Sequence, residues 1–256
     1  MFQCAIVRTP GENFADGVTT AKLGKPDFSK VLIQHAAYCD ALRQCGLQLI
    51  CLDADPNHPD STFVEDTAVL TATSAILTRP GAQSRIGEVA AIRATIERFY
   101  TRIRHIEAPG TVDGGDVCEA GTHFFIGISH RTNEEGVRQF GHLLEGEGYT
   151  WSAVDVRSTT SILHLKSGVA YLGNNYLVVM DELAGRKEFA GYDLVRVPVE
   201  ESYACNCVSV NDYVLLPLGF QWLTATLNRL GYKTLLLDMS EFRKMDGGLS
   251  CLSLRF

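Results

Sequence analysis

Asp246-Gly247-Gly248-Leu249-Ser250-Cys251-Leu252-Ser253-Leu254-Arg255-Phe256 closes the chain, and its reading decides the fold. A Gly-Gly turn leads a thiol into an alternating, strand-like run, so these residues are tied down rather than frayed. A last strand needs a partner. Residues 2–8 are strand-like too, and pairing them with residues 250–256 completes a hairpin from opposite ends of the sequence.

Four continuous hairpins lie between these ends, each two apolar runs joined by a turn. They span residues 63–78, 116–129, 163–180 with a turn at Gly173-Asn174-Asn175, and 205–218 with a turn at Asn211-Asp212. Helix-period segments cover 27–45, 84–99, 132–147, more weakly 181–189, and 220–230. Asp27 and Ser84 suit N-caps, and Thr132-x-x-Glu135 reads as a capping box. Each helical segment is followed by a short strand, at 47–52, 104–108, 151–156, 194–197 and 232–237. Asp66, Asp116, Lys166, Asn206 and Cys251 enter the successive hairpins at intervals of 50, 50, 40 and 45 residues.

Units of one helix and three short strands cannot each bury an apolar face alone. The pattern therefore predicts an α/β five-bladed propeller with pseudo-five-fold symmetry, closed by pairing of the terminal strands. It predicts one catalytic domain over 1–256, with the hairpin-entering loops facing a central site.

The 256 residues are 46% hydrophobic and 21% charged, enough for a large core. A net charge of −7, with no Lys/Arg run longer than two, argues against a nucleic-acid partner. No apolar run approaches the ~20 residues that span a bilayer. Eight cysteines lack a disulfide-framework spacing, and Met1-Phe2-Gln3-Cys4 does not open a signal peptide, so a cytoplasmic location is expected.

The loop Asp60-Ser61-Thr62-Phe63-Val64-Glu65-Asp66 sets three carboxylates beside the first hairpin. Asp113-Gly114-Gly115-Asp116 precedes the second, its glycines permitting φ > 0 and a close backbone approach. Leu163-His164-Leu165-Lys166 alternates as a strand would, with His164 and Lys166 on one face. Singly, loop acids are solvated, a strand histidine is structural and a buried thiol packs. Recurrence at equivalent points of successive units is what distinguishes them.

Converged, a thiol, an imidazole and several carboxylates with no basic residue at the centre suit a planar cation bearing an electrophilic carbon, such as a guanidinium or amidinium. Cys251 would attack as a thiolate, and His164 would protonate the departing amine and then deprotonate a water. No cofactor is needed. Cys205-x-Cys207 lacks the spacing of a zinc site and reads as core thiols, so no metal is expected.

Phe63-Val64-Glu65-Asp66, Thr111-Val112-Asp113-Gly114-Gly115-Asp116, Arg131-Thr132-Asn133, Leu163-His164-Leu165-Lys166, Ala204-Cys205-Asn206-Cys207 and residues 246–251 together resemble the dimethylarginine dimethylaminohydrolase family, in particular its compact bacterial members. The resemblance runs from Arg8-Thr9-Pro10 to Phe256. It implies the pentein fold of guanidine-modifying enzymes, a five-bladed α/β propeller, and hydrolysis of asymmetric dimethylarginine or monomethylarginine to citrulline and a methylated amine. It carries over Cys251 as nucleophile, His164 as general acid/base, and Asp66 with Asp113 as the carboxylates on the guanidinium. Arg85 and Arg131 would bind the substrate carboxylate, with Asp60, Glu65, the backbone near Val18, and Met245 holding the rest. A small-molecule substrate is the expected partner, and a homodimer is left open.

The alternatives are an arginine or agmatine deiminase or an amidinotransferase on the same scaffold, and a non-catalytic binding protein for cationic amino acids. Deiminases and amidinotransferases are generally longer, and binding alone needs neither Cys251 nor His164. A papain-like protease would carry its cysteine near the amino terminus on a helix.

Overall fold

Short apolar runs bounded by turn residues make the strands, and the computed structural model, which describes residues 1–256, arranges fifteen of them into five sheets of three. In chain order come β1 (Cys4–Arg8), α1 (Phe28–Gln44) and β2 (Gln48–Leu52). Next are β3 (Ala68–Leu70), β4 (Ala75–Leu77), α2 (Glu88–Ile96) and β5 (Ile103–His105). Then follow β6 (Val117–Ala120), β7 (His123–Ile128), α3 (Glu134–Glu145) and β8 (Thr150–Asp155). β9 (Val169–Gly173), β10 (Tyr176–Met180) and β11 (Asp193–Val197) precede β12 (Val208–Val210), β13 (Tyr213–Pro217), α4 (Gln221–Arg229) and β14 (Lys233–Leu237). A short α5 (Ser240–Arg243), unforeseen in the sequence, precedes β15 (Leu254–Arg255).

One grammar recurs. The second strand of each hairpin pairs antiparallel with the first and parallel with the strand returning after the helix: β4 between β3 and β5, β7 between β6 and β8, β10 between β9 and β11, β13 between β12 and β14. Such middle strands are covered on both faces and read as unbroken apolar runs, as in Phe124-Phe125-Ile126 and Leu177-Val178-Val179, all fully buried. Asn174, Asn175 and Asn211 take positive φ at the hairpin turns, a conformation asparagine tolerates.

The sheets fall into two compact units. Glu65–Cys205 holds the sheets of β3–β5, β6–β8 and β9–β11. Its core includes Ile76, Val117, Phe124 and Ile126 with the α3 stripe Val137, Phe140 and Leu144, whose spacing is helical. Met1–Val64 with Asn206–Phe256 holds the other two sheets. There Phe14, Phe63 and Phe242 meet at ring distances of 5.5 to 6.3 Å. β1 pairs antiparallel with β15, Ala5 opposite Arg255 and Ile6 opposite Leu254, and parallel with β2. The Phe256 carbonyl accepts from the N–H groups of Gln3 and Cys4, both at 2.8 Å. The terminal strands expected to pair do so. No helix is long and apolar enough to cross a membrane.

A 3₁₀ turn precedes the first strand of every sheet: Val64–Thr67, Gly114–Asp116, Leu165–Ser167, Val199–Cys205 and Ser250–Leu252. The recurring landmarks Asp66, Asp116, Lys166 and Cys251 lie within these turns, and Asn206 follows its own directly. This corrects two readings. His164 and Lys166 are not on a strand, because His164 caps a 3₁₀ turn and Lys166 lies inside it. Cys251 likewise sits in a turn rather than on the terminal strand, since the Ser250 N–H bonds the Asn206 side chain at 2.9 Å instead of a sheet ladder.

Helix boundaries needed correction for similar reasons. Asp27 caps α1 as expected, accepting from the N–H groups of Ser29 and Lys30. Ser84 caps nothing. Residues 83–85 form a 3₁₀ turn, and α2 begins three residues later behind Gly87. α3 is capped by Asn133, which accepts from Gly136 N–H, because the Thr132 hydroxyl is drawn away to Asp116. The weak helix at 181–189 is two 3₁₀ turns, Asp181–Leu183 and Lys187–Phe189.

Removing residues 252–256 deletes β15 and the buried Leu252 and Leu254. Burial of two such side chains is worth about 3–6 kcal/mol, a large share of the ~5–15 kcal/mol of a typical domain. The truncated protein is expected to melt about 10–20 °C lower. Thermal unfolding followed by circular dichroism measures this, and an unchanged midpoint would show that the strand is dispensable.

Candidate active site

The turns entering β3, β6 and β9 bring Asp66, Asp113, Asp116 and His164 together within the Glu65–Cys205 unit, all four buried. His164 Nε2 meets Asp113 Oδ2 at 2.9 Å. Asp113 Oδ1 accepts the Gly81 N–H at 2.8 Å, and Asp66 Oδ1 accepts the Gly115 N–H at 2.9 Å. The glycines of Asp113-Gly114-Gly115-Asp116 serve close approach, and neither takes positive φ. A Cβ on Gly114 would stand 2.0 Å from the Glu65 carbonyl, and one on Gly115 would stand 2.8 Å from His164 Nδ1 and 2.9 Å from Asp66 Oδ1. A side chain at Gly115 would push the imidazole and the Asp66 carboxylate apart, and one at Gly114 would drive its turn off the Glu65 backbone.

Burial by itself would depress the His164 pKa, yet the negative charges of Asp66 and Asp116 and the Asp113 hydrogen bond push it up to about 10. Asp66 behaves conversely. Burial would raise its pKa, but the His164 and Arg85 charges and the Gly115 N–H hold it below the ordinary carboxylate range. The charged forms of His164 and Asp66 thus favour one another.

Arg85 is the main surprise, because the sequence reading left the centre free of basic residues. It is buried, bonds Asp66 Oδ2 through Nη1, and forms a fork to Glu88 with Nε at 3.0 and Nη2 at 2.7 Å. It lies in the 3₁₀ turn three residues before α2, and Glu88 is the first residue of that helix. Glu65 ion-pairs with Lys166. Arg131 is half-buried, and its side chain forms no ion pair. Glu88, Ser129, Thr132 and Lys166 complete the surroundings without having been singled out as site residues. Thr132 and Lys166 lay inside quoted motifs, whereas nothing local marks Glu88 or Ser129.

Asp66, Asp113 and His164 each place a donor atom within 4.8 Å of the others, a spacing that could hold a cation. In this structure those atoms are engaged with one another and with backbone donors: His164 Nε2 bonds Asp113 Oδ2, and each carboxylate also accepts from a fixed N–H.

The remaining sequence-predicted residues lie in the other unit. Cys251 is half-buried in the turn Ser250–Leu252. Asn206 pins that turn twice, accepting the Ser250 N–H at 2.9 Å and donating to Ser250 Oγ at 3.0 Å. Gly248 makes room, since a Cβ there would stand 2.3 Å from Asn206 Oδ1. Both Asp60 carboxylate oxygens accept the Val18 N–H, at 3.2 and 3.1 Å. Gly17 lies against Asp60 and the Met245 methyl group, so Val18, Asp60 and Met245 form one neighbourhood. Asp246, at positive φ, accepts from Thr20 N–H at 2.6 Å and from both threonine hydroxyls at 3.1 Å, tying residues 19–20 to the turn before Gly247-Gly248.

Repeated hairpin–helix–strand units and a buried cluster of one histidine with three carboxylates define an α/β protein with an enzyme-like polar centre. The family model described as N,N dimethylarginine dimethylhydrolase, eukaryotic, matches residues 18–212. A dimethylarginine dimethylaminohydrolase of Pseudomonas aeruginosa is 47% identical over all of both chains. A solved structure of the Pseudomonas aeruginosa enzyme, a cysteine-to-serine variant complexed with citrulline, superposes with a TM-score of 0.97 at 46% identity, covering all of both chains. The N-terminal domain of ArgZ, an arginine dihydrolase of cyanobacteria, shares the fold at a TM-score of 0.86 and 17% identity, covering 100% of this chain and 97% of that one. The chain belongs to the dimethylarginine dimethylaminohydrolase family.

The His164 environment sets a pH dependence. Its folded pKa of about 10 lies above the unfolded value of 6.5, so its stabilisation is full below pH 6.5 and is lost as pH rises towards 10. Urea denaturation at a series of pH values should show the advantage of wild type over His164→Gln shrinking across that window. A constant difference would mean that the imidazole is not held protonated.

Proposed function

We propose that the protein hydrolyses asymmetric dimethylarginine and monomethylarginine to citrulline with release of dimethylamine or methylamine. The observation that carries this reading is the buried His164 bonded to Asp113 beside Asp66 and Asp116, in a chain 47% identical to a dimethylarginine dimethylaminohydrolase along its whole length. Asp66, Asp113, Asp116 and Glu88 oppose the cations Arg85 and His164, so the buried cluster carries a formal excess of two negative charges that favours a guanidinium ligand.

In this reading Cys251 attacks the guanidinium carbon as a thiolate, forming a C–S bond and a tetrahedral adduct. His164 gives its proton to the dimethylamino nitrogen as the C–N bond breaks, leaving an S-alkylthiouronium intermediate. Neutral His164 then takes one proton from a water that attacks the same carbon; as the C–S bond breaks to return the thiolate and release citrulline, the new hydroxyl loses its remaining proton to solvent, which balances the proton taken up by the released amine. Asp66 and Asp113 hold the guanidinium. Asp60, Glu65, the Val18 backbone and Met245 hold the rest of the substrate. Arg131, with no ion pair of its own, is the primary anchor for the substrate carboxylate, and Arg85 joins it only by releasing Glu88.

The fold belongs to the same proposal: one catalytic domain over 1–256, its five units closed as a five-bladed propeller. Five sheets of one grammar and the β1–β15 pairing support it. Eight free cysteines support a reducing, cytoplasmic setting.

Purified protein given dimethylarginine, monomethylarginine, arginine and agmatine in parallel should form citrulline and the methylated amine fastest from the methylated substrates. Ammonia from arginine as the dominant product would reassign it as a deiminase. Cys251→Ser should fold normally and lose activity on the order of 10,000-fold or more; normal turnover in that variant would remove Cys251 from the mechanism.

A further inference from the structure

Asp116 is fully buried and takes no step in the chemistry above, yet it joins the segments that carry the proton-transfer pair. Its Oδ2 accepts from Ser129 Oγ and Thr132 Oγ1, both at 2.6 Å, and its Oδ1 accepts the Leu165 N–H at 2.9 Å. Leu165 follows His164 in the chain, so that bond fixes the backbone from which the imidazole projects. Thr132 Oγ1 also accepts the Asp113 N–H at 3.0 Å, so the same carboxylate reaches the other partner through one hydroxyl. Gly127 leaves the space: a Cβ there would stand 2.6 Å from Asp116 Oδ1 and 2.9 Å from Leu165 Cβ.

Binding three donors does not require a charge, and an asparagine with rotated hydroxyls could meet the same geometry. The charge is unfavourable where it sits, since burial pushes the Asp116 pKa up to about 6 despite the nearby His164 and the three donors. A carboxylate kept under that penalty points to a function beyond gluing loops.

We propose that Asp116 is a positioning residue which, with Thr132 and Ser129, fixes His164 and Asp113 in register for proton transfer and sets a negative charge beside the imidazole. The inference rests on reading His164 as the acid–base group. The other charges facing His164 are Asp66 and Asp113, with Arg85 next to Asp66.

Three variants test it: Asp116→Asn, Thr132→Val and Thr132→Ser. With dimethylarginine as substrate, Asp116→Asn and Thr132→Val should lower kcat about 100-fold, the scale expected when reacting groups are displaced by about 1 Å. KM should move little, and Thr132→Ser, which keeps the hydroxyl, should recover most of the loss. NMR titration of the ¹⁵N-labelled His164 imidazole in the resting protein should show Asp116→Asn titrating at lower pH than wild type, a change that loop gluing alone would not cause.

An unmoved titration together with a kcat within about threefold of wild type would overturn the proposal. If Asp116→Asn fails to fold, the Thr132 pair decides: equal activity in the valine and serine variants overturns it, and recovery in serine alone supports it. If wild type releases no methylated amine, the functional reading fails, and the His164 titration still decides whether Asp116 acts on the imidazole.

Discussion

The contact between His164 Nε2 and Asp113 Oδ2 sets the terms for the rest of the Glu65–Cys205 unit. A buried ion pair loses several kcal/mol of hydration per charge and persists only where the remaining lone pairs are satisfied. Every charge around it is accordingly tied to a fixed donor or counter-ion: Asp113 to the Gly81 N–H, Asp66 to the Gly115 N–H and Arg85, Arg85 to Glu88, Asp116 to two hydroxyls and the Leu165 N–H. Backbone donors at those points require turns rather than strands. That requirement fits the short 3₁₀ segments before β6 and β9, which carry the Gly115 and Leu165 donors, and close packing around them explains the missing side chains at Gly114, Gly115 and Gly127.

The same local device appears in the other unit with different chemistry. The turn carrying Cys251 is pinned by Asn206, a neutral amide, where the His164 turn is pinned by the carboxylate of Asp116. The difference suits the roles proposed for the two turns. An anion beside an imidazole favours its protonated form, whereas an anion beside a thiol would raise its pKa and suppress the thiolate. A neutral amide holds the backbone without that effect.

The sequence revealed what depends on short-range pattern. Helical spacing located α1, α3 and α4, turn residues located the hairpins, and alternation at both ends anticipated the pairing of β1 with β15. It failed where a distant partner overrode a local preference. Thr132 satisfies the capping-box pattern, but its hydroxyl bonds a carboxylate 16 residues earlier, and Asn133 caps instead. Arg85 fell at the start of the expected helical segment 84–99, and only the fold brings Asp66, 19 positions before it, within reach. Asp116 was visible as a landmark at the same interval as Asp66, but its role needed Ser129, Thr132 and Leu165 in place.

Charge imbalance then connects stability to recognition. A structure optimised only for stability would neutralise the cluster or replace it with apolar side chains, because unpaired buried charge is destabilising. Here Asp66, Glu88, Asp113 and Asp116 face only Arg85 and His164, and the residual negative charge sits among side chains that already have their fixed donors. Under the proposed function the guanidinium of the substrate would offset that excess, and any ligand that binds only the folded state stabilises it. A planar guanidinium matches the excess charge and offers several N–H donors to carboxylates already held in place, so little reorganisation is needed on binding. In the proposed reading, recognition of the substrate cation rests on the same carboxylates whose charges raise the His164 pKa.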